Sequence, residues 1–210
     1  MTFKDRTEAG ELLASQLTSY QDQKVIVYAL PRGGVVTALP IAKKLNAPLD
    51  LIIVRKIGHP NFPEYAIGAV AENGHLVLNE KETTQINPKY LQEEIKKQRQ
   101  EAKRRRQLYL GERKPLTCKG KTAILVDDGV ATGLTLEVGI KELKHQKPAK
   151  LVVAVPVAPQ DTAKRLGKMV DEFIATDLPK YFLGSVGAYY KFFPQVNDKE
   201  VMQMMPEVTA

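Results

Sequence analysis

A single cysteine, Cys118, is present among 210 residues. A lone thiol excludes an internal disulfide and a multi-thiolate zinc site, and it suits a reducing compartment. No apolar run approaches the ~20 residues that a membrane-spanning helix needs. Met1 is followed by polar and charged residues, so neither a signal peptide nor an anchor is expected, and a cytoplasmic protein that stays out of the membrane is the reading. The Gly-x-x-x-x-Gly-Lys-Ser/Thr phosphate loop and the Gly-x-Gly-x-x-Gly dinucleotide fingerprint are both missing from the strand-to-helix turn discussed next, which argues against an ordinary nucleoside triphosphatase or dinucleotide enzyme. Clustered metal ligands are missing too, which argues against a metal-dependent hydrolase of nucleotides. There is no internal repeat or low-complexity segment.

Basic residues are in surplus, 31 Lys and Arg against 24 Asp and Glu, for a formal net charge of +7. That balance suits nucleic acid and suits equally a small substrate carrying several phosphates. The length fits one domain able to bury a real core.

The informative stretch runs from Ile124 to Thr135, Ile-Leu-Val-Asp-Asp-Gly-Val-Ala-Thr-Gly-Leu-Thr. Its apolar start reads as a strand covered on both faces. Asp127 and Asp128 close that strand, and helical apolar spacing resumes at Leu134, Leu136, Val138, Ile140 and Leu143. In open α/β sheets ligands bind just beyond this edge. The small residues Gly129, Val130, Ala131, Thr132 and Gly133 let backbone N–H groups approach an anion, and the hydroxyls of Thr132 and Thr135 add donors at a helix start. Two ionised carboxylates accept from a neighbouring pair of hydroxyls, as in a ribose. The bland alternative is a pair of Asp residues that merely cap a helix.

Two further strand ends carry cations. Lys24 to Leu30 reads as the first core strand and runs into Pro31-Arg32-Gly33-Gly34, a turn with a fork-like cation and two permissive glycines. Leu49 to Val54 reads as a second continuous strand, with Arg55-Lys56 at its end and a loop of Gly58, His59, Pro60 and Pro63 too punctuated for regular structure.

The acidic stretch closely resembles the phosphoribosyl pyrophosphate motif of the type I phosphoribosyltransferases. The resemblance implies that Asp127 and Asp128 hold ribose hydroxyls, that Gly129 to Thr135 bind the 5′-phosphate, and that Arg32, Gly33 and Gly34 bind pyrophosphate in a loop that often carries a cis peptide. Arg55 and Lys56 resemble the pair that begins the mobile catalytic loop of adenine and orotate enzymes; by that analogy they neutralise the leaving pyrophosphate, with His59 a weaker catalytic candidate. The implied cofactor is Mg²⁺, carried by the substrate with no direct protein ligand. Ala131 replaces the acidic residue usual in hypoxanthine-guanine enzymes, which disfavours a 6-oxopurine acceptor.

Elsewhere, Asp5 and Glu8 form a capping-box-like start for an N-terminal helix. Val35 to Leu45 reads as a helix in which Pro40 ends, starts or kinks a turn. Asn73-Gly74 between Ala66–Ala71 and His75–Leu78 predicts a hairpin. Pro88 to Leu110 reads as a helix with a thin apolar stripe and the basic run Lys103 to Arg106. Lys150 to Val157 and Glu172 to Thr176 read as strands around a helix at Gln160 to Met169. Six aromatics, Tyr181, Phe182, Tyr189, Tyr190, Phe192 and Phe193, crowd the C-terminal part, either closing the core or forming a hood over the site.

Together these predict an α/β doubly wound parallel sheet of about five strands in one domain: core about 22–178, a hairpin and helical insertion at about 57–115, and a hood from 1–21 and 179–210. The expected function is transfer of a 5-phosphoribosyl group from phosphoribosyl pyrophosphate to a small nitrogen acceptor, a nucleobase or related heterocycle, within nucleotide metabolism. The alternative is a non-catalytic sensor of phosphoribosyl pyrophosphate or nucleotide that regulates through RNA or DNA bound on the basic arm. A homodimer is suggested by the family alone.

Overall fold

The computed structural model of the protein describes residues 1–205; residues 206–210, the end of the expected hood, lie outside the described residues. Five strands form one parallel sheet: β1 (Val25–Ala29), β2 (Leu49–Leu51), β6 (Thr122–Val126), β7 (Lys150–Val157) and β8 (Glu172–Asp177), in the order β2-β1-β6-β7-β8. Alternation within β1 explains its continuous apolarity. Val25, Val27 and Ala29 pack on one side with helices α1 (Arg6–Gln16), α2 (Gly33–Leu45) and α7 (Asp198–Met204); Ile26 and Tyr28 pack on the other with α5 (Leu134–His145) and α6 (Gln160–Gly167). Strands covered on both faces have no polar side to show, which is the doubly wound arrangement expected. Asp5 caps α1 by accepting from the Glu8 amide at 3.0 Å, while Glu8 accepts from the Lys4 amide at 2.5 Å.

The segment between β2 and β6 departs from the sequence reading. The apolar run Leu49 to Val54 is split: β2 stops at Leu51, and Val54 opens β3 (Val54–His59) of a separate antiparallel sheet with β4 (Phe62–Ala71) and β5 (Leu76–Leu78), in the order β3-β4-β5. Arg55 and Lys56 therefore lie inside a hairpin strand, and no irregular loop follows them. Gly58, His59 and Pro63, read as too punctuated for structure, are accommodated in that hairpin. Register shifts on either side of Gly58 absorb the irregularity. A side chain at Gly58 would come within 2.4 Å of the Pro63 carbonyl oxygen, so only glycine lets the two strands close there. Pro63 is tolerated because β5 pairs only with Gly68, Ala69 and Val70, leaving that end of β4 a single neighbour. The Asn73-Gly74 hairpin stands as predicted, with Gly74 at φ +102°.

After a short helix α3 (Glu80–Thr83), α4 spans Pro88–Leu110 with Pro88 at its first turn and Asn87 accepting from the Lys89 amide. Its thin stripe is used twice: Tyr90, Leu91 and Ile95 pack on the hairpin sheet, and Ala102, Tyr109 and Leu110 on the main core. Arg106 joins the two regions, donating to the Leu51 carbonyl and Glu72 at 3.1 Å each and lying 3.5 Å from the buried carboxylate of Asp50. Arg104 and Arg105 both bind Glu101. Helix α2 starts two residues earlier than read and continues through Pro40.

Candidate functional site

The carboxyl ends of β1 and β6, the adjoining strand β3, the N-terminal half of α4 and the C-terminal segment enclose a cavity of about 820 Å³. Its floor is the loop after β6. Gly129 has φ +149°, and a side chain there would collide with Val186; Gly133, at φ +80°, turns the chain into α5. The loop is tied back through carbonyls: Thr162 Oγ1 donates to Ala131 and Arg165 Nη2 to Thr132, at 3.0 and 2.6 Å. Val130 donates its amide to Val157 at 2.9 Å. The first amides of α5, from Leu134 onward, have no intrahelical acceptor, as at any helix start. With Thr132 and Thr135 lining the cavity beside them, the turn is equipped to cradle an anion.

The two acids stand at the base of that turn, half-buried, and each has one oxygen occupied by the protein. Asp127 Oδ1 accepts from the Asp128 amide at 2.8 Å, and Asp128 Oδ2 accepts from Arg6 Nε at 2.7 Å. Burial, then the charge of Asp128, pushes the Asp127 carboxyl well above the ordinary range. Burial pushes Asp128 upward as well, and the Arg6 guanidinium acts against it.

The turn after β1 meets this pair directly. The Pro31–Arg32 peptide is cis. A Cβ on Gly33 would sit 1.9 Å from Asp128 Oδ2, and one on Gly34 would sit 3.1 Å from Asp127 Cα, so the glycines let the two loops touch. Arg32 lines the cavity and lies 3.6 Å from Asp198, which also accepts from the Tyr109 hydroxyl. From β3, Arg55 and Lys56 face the same space. Arg55 is half-buried and donates to Gln98 at 3.1 Å; burial, then the nearby Arg105 charge, presses its guanidinium below the ordinary value. Lys56 is exposed and favours ionised Asp127 through its charge. His59 is not brought in: it sits at the hairpin tip against the rings of Phe62 and Tyr65.

The aromatic segment divides between the core and the cavity. Phe3, Tyr189 and Tyr190 are buried together, Tyr190 donating to the Asp128 carbonyl at 2.6 Å, whereas Phe193 and the stretch 184–187 line the cavity. Tyr181 and Phe192 remain exposed.

Arg6, Arg165 and Gln98 escaped the sequence reading. Their partners lie far along the chain, 122 positions away for Arg6, and no local pattern announces such pairs.

Residues 6–191 match the family model described as phosphoribosyl transferase domain. A Mycobacterium tuberculosis protein named "Putative phosphoribosyl transferase" is 37% identical over 205 residues, which are 97% of this chain and 46% of that protein, so the chain spans about half the length of the curated relatives it matches. The crystal structure of TT1426 from Thermus thermophilus superposes with a TM-score of 0.82 at 40% identity, covering all of both chains. The AQ2163 protein from Aquifex aeolicus shares the fold, with a TM-score of 0.51 at 15% identity over 82% of this chain and 73% of that one.

Proposed function

The chain belongs to the phosphoribosyl transferase family, and from that premise we propose that it transfers a 5-phosphoribosyl group from phosphoribosyl pyrophosphate to a nitrogen acceptor, a nucleobase or related heterocycle, releasing pyrophosphate. One observation carries the reading: a paired acid with two carboxylate oxygens that have no partner among the described residues, a hydroxyl-bearing anion turn and three cations, Arg32, Arg55 and Lys56, border one cavity. The turn at Gly129 to Thr135 takes the 5′-phosphate, the free oxygens of Asp127 and Asp128 accept from the ribose hydroxyls, and Arg32, Gly33 and Gly34 meet the pyrophosphate.

The donor set suits Mg²⁺ carried on the substrate. Among the described residues no group of three or more His, Cys, Asp or Glu could hold a metal ion, so we take the ion to be held by substrate oxygens and water rather than by protein ligands. When bound, such an ion would supply positive charge that offsets the charge developing on the leaving pyrophosphate.

In the reaction the anomeric carbon–oxygen bond breaks with its electron pair leaving on pyrophosphate, a carbon–nitrogen bond forms to the acceptor, and the acceptor nitrogen gives up its proton. Positive charge builds on the ribose and negative charge on the leaving group, as in other oxocarbenium-like displacements. Arg32, Arg55 and Lys56 stabilise the negative charge, and the hairpin and α4 shield the site from water. The basic arm favours this over the regulatory reading, since Arg104, Arg105 and Arg106 are already paired with Glu101, Glu72 and Asp50.

The test is pyrophosphate release from phosphoribosyl pyrophosphate and Mg²⁺ against a panel of nucleobases and small nitrogen heterocycles, with Asp127→Asn and Asp128→Asn as controls. Release that requires one acceptor and disappears in both variants supports the transferase. Donor binding without turnover on any acceptor sinks the catalytic claim.

A further inference from the structure

Arg6 is a cation that its own helix does not explain. It occupies the first position of α1, where the partial positive charge of a helix N-terminus disfavours a cation. It is only 8% exposed, although arginine is almost never buried unless paired. What holds it there is tertiary. Nε donates to Asp128 Oδ2 at 2.7 Å, Nη1 donates to the Pro194 carbonyl at 2.8 Å, and the guanidinium lies 3.6 Å from the centre of the Phe193 ring. Gly33 leaves room for this arrangement, since a side chain there would meet both Arg6 Nε and Asp128 Oδ2. A local rule broken in this way is a sign of selection for something beyond helix formation.

We infer that Arg6 is a positioning residue of the ribose site, fixing Asp128 so that Oδ2 is engaged and Oδ1 is presented to a substrate hydroxyl, and tying that carboxylate to the Phe193 wall of the cavity. The inference rests on the phosphoribosyl reading above. Because the Asp128 amide already engages Asp127 Oδ1, each acid keeps one oxygen, which matches the two donors of a vicinal diol. The cation also opposes the burial that works against ionisation of Asp128. The groups facing Asp128 are Arg6 from α1, Asp127 from its own loop and Tyr190 from the C-terminal segment, while Lys56 from β3 acts on Asp127. Only a guanidinium can bind Asp128 and Pro194 while sitting over Phe193; an ammonium keeps the charge and loses the tie to the wall.

Calorimetric titration of the full chain with three probes tests this: ribose 5-phosphate, inorganic pyrophosphate, and phosphoribosyl pyrophosphate with Mg²⁺. Arg6→Gln is expected to weaken ribose 5-phosphate about tenfold or more, the range of a hydrogen bond to a charged group, and to leave pyrophosphate affinity unchanged. The low-pH limb of ribose 5-phosphate binding should move to higher pH, because losing the cation raises the pH at which Asp128 ionises. Arg6→Lys should restore that limb toward the wild-type position. Wild-type ribose 5-phosphate affinity in Arg6→Gln overturns the inference, and so does an equal loss for ribose 5-phosphate and pyrophosphate, which marks a structural role only. A wild-type protein that binds neither ribose 5-phosphate nor phosphoribosyl pyrophosphate removes the phosphoribosyl reading, and this inference falls with it.

Discussion

The two sheets contribute to the same cavity by opposite means. The parallel sheet is buried on both faces and delivers acids and backbone: Asp127, Asp128 and the two glycine turns stand on loops whose geometry is fixed by fully buried strands β1 and β6. The antiparallel sheet is half-exposed and delivers long-chain cations, Arg55 and Lys56, on a hairpin packed between α4 and α5. Precision is asked of the first and charge of the second. The difference teaches that fine alignment sits where packing leaves no freedom, while long side chains reach in from the wall that can give.

Substitutions can break that contrast at its joint or on either side. Arg106→Ala removes one polar link between the sheets and leaves Asp50 and Glu72 without this cation; we expect a loss of about 3 kcal/mol in urea-unfolding stability, at the low end for breaking a buried pair. Gly33→Ala acts on the precise side, where a Cβ would sit 1.9 Å from Asp128 Oδ2. Steady-state kinetics should show kcat/KM falling about a hundredfold, the scale of a small misplacement of reacting groups. Lys56→Gln acts on the charged side, and because Lys56 is exposed the melting temperature should hold while kcat falls by roughly ten- to a hundredfold, the loss of one charge-stabilising donor.

The smallest effect is the most discriminating. Burial raises the Asp127 carboxyl above its unfolded value, so the folded chain binds that proton more tightly and stability is lost as pH rises from the unfolded value through the folded one. Asp127→Asn, which keeps the acceptor for the Asp128 amide, should therefore be inactive yet melt about 2–4 °C higher than wild type at neutral pH, for a gain near 1 kcal/mol. Melting curves should converge as pH falls toward the ordinary carboxylate range.

The same contrast governed what could be read from the sequence. Strands β1, β6 and β7 were legible because burial on both faces demands continuous apolar runs, and the acids were legible because they stand at the end of one. Strand β3 was not: Leu49 to Val54 looks unbroken, and nothing local marks that the chain leaves one sheet for another after Leu51. Pro60 and Pro63 disguised the hairpin, since a proline signal does not reveal that the partner strand is missing on one side. His59, chosen for its chemistry, fell outside the cavity because its position was set by that hidden hairpin. Arg6 was hidden by distance along the chain.

Strand β6 lies in the middle of the sheet order, with two strands on either side. Its amides should be among the last to exchange with deuterated water, whereas those at the tip of the β3-β4 hairpin should exchange early. A bound donor that engages both walls would then slow exchange unevenly, scarcely changing the strand that carries the acids and quieting the hairpin that carries the cations. Occupancy would be written in time, on the side of the site that has motion to lose.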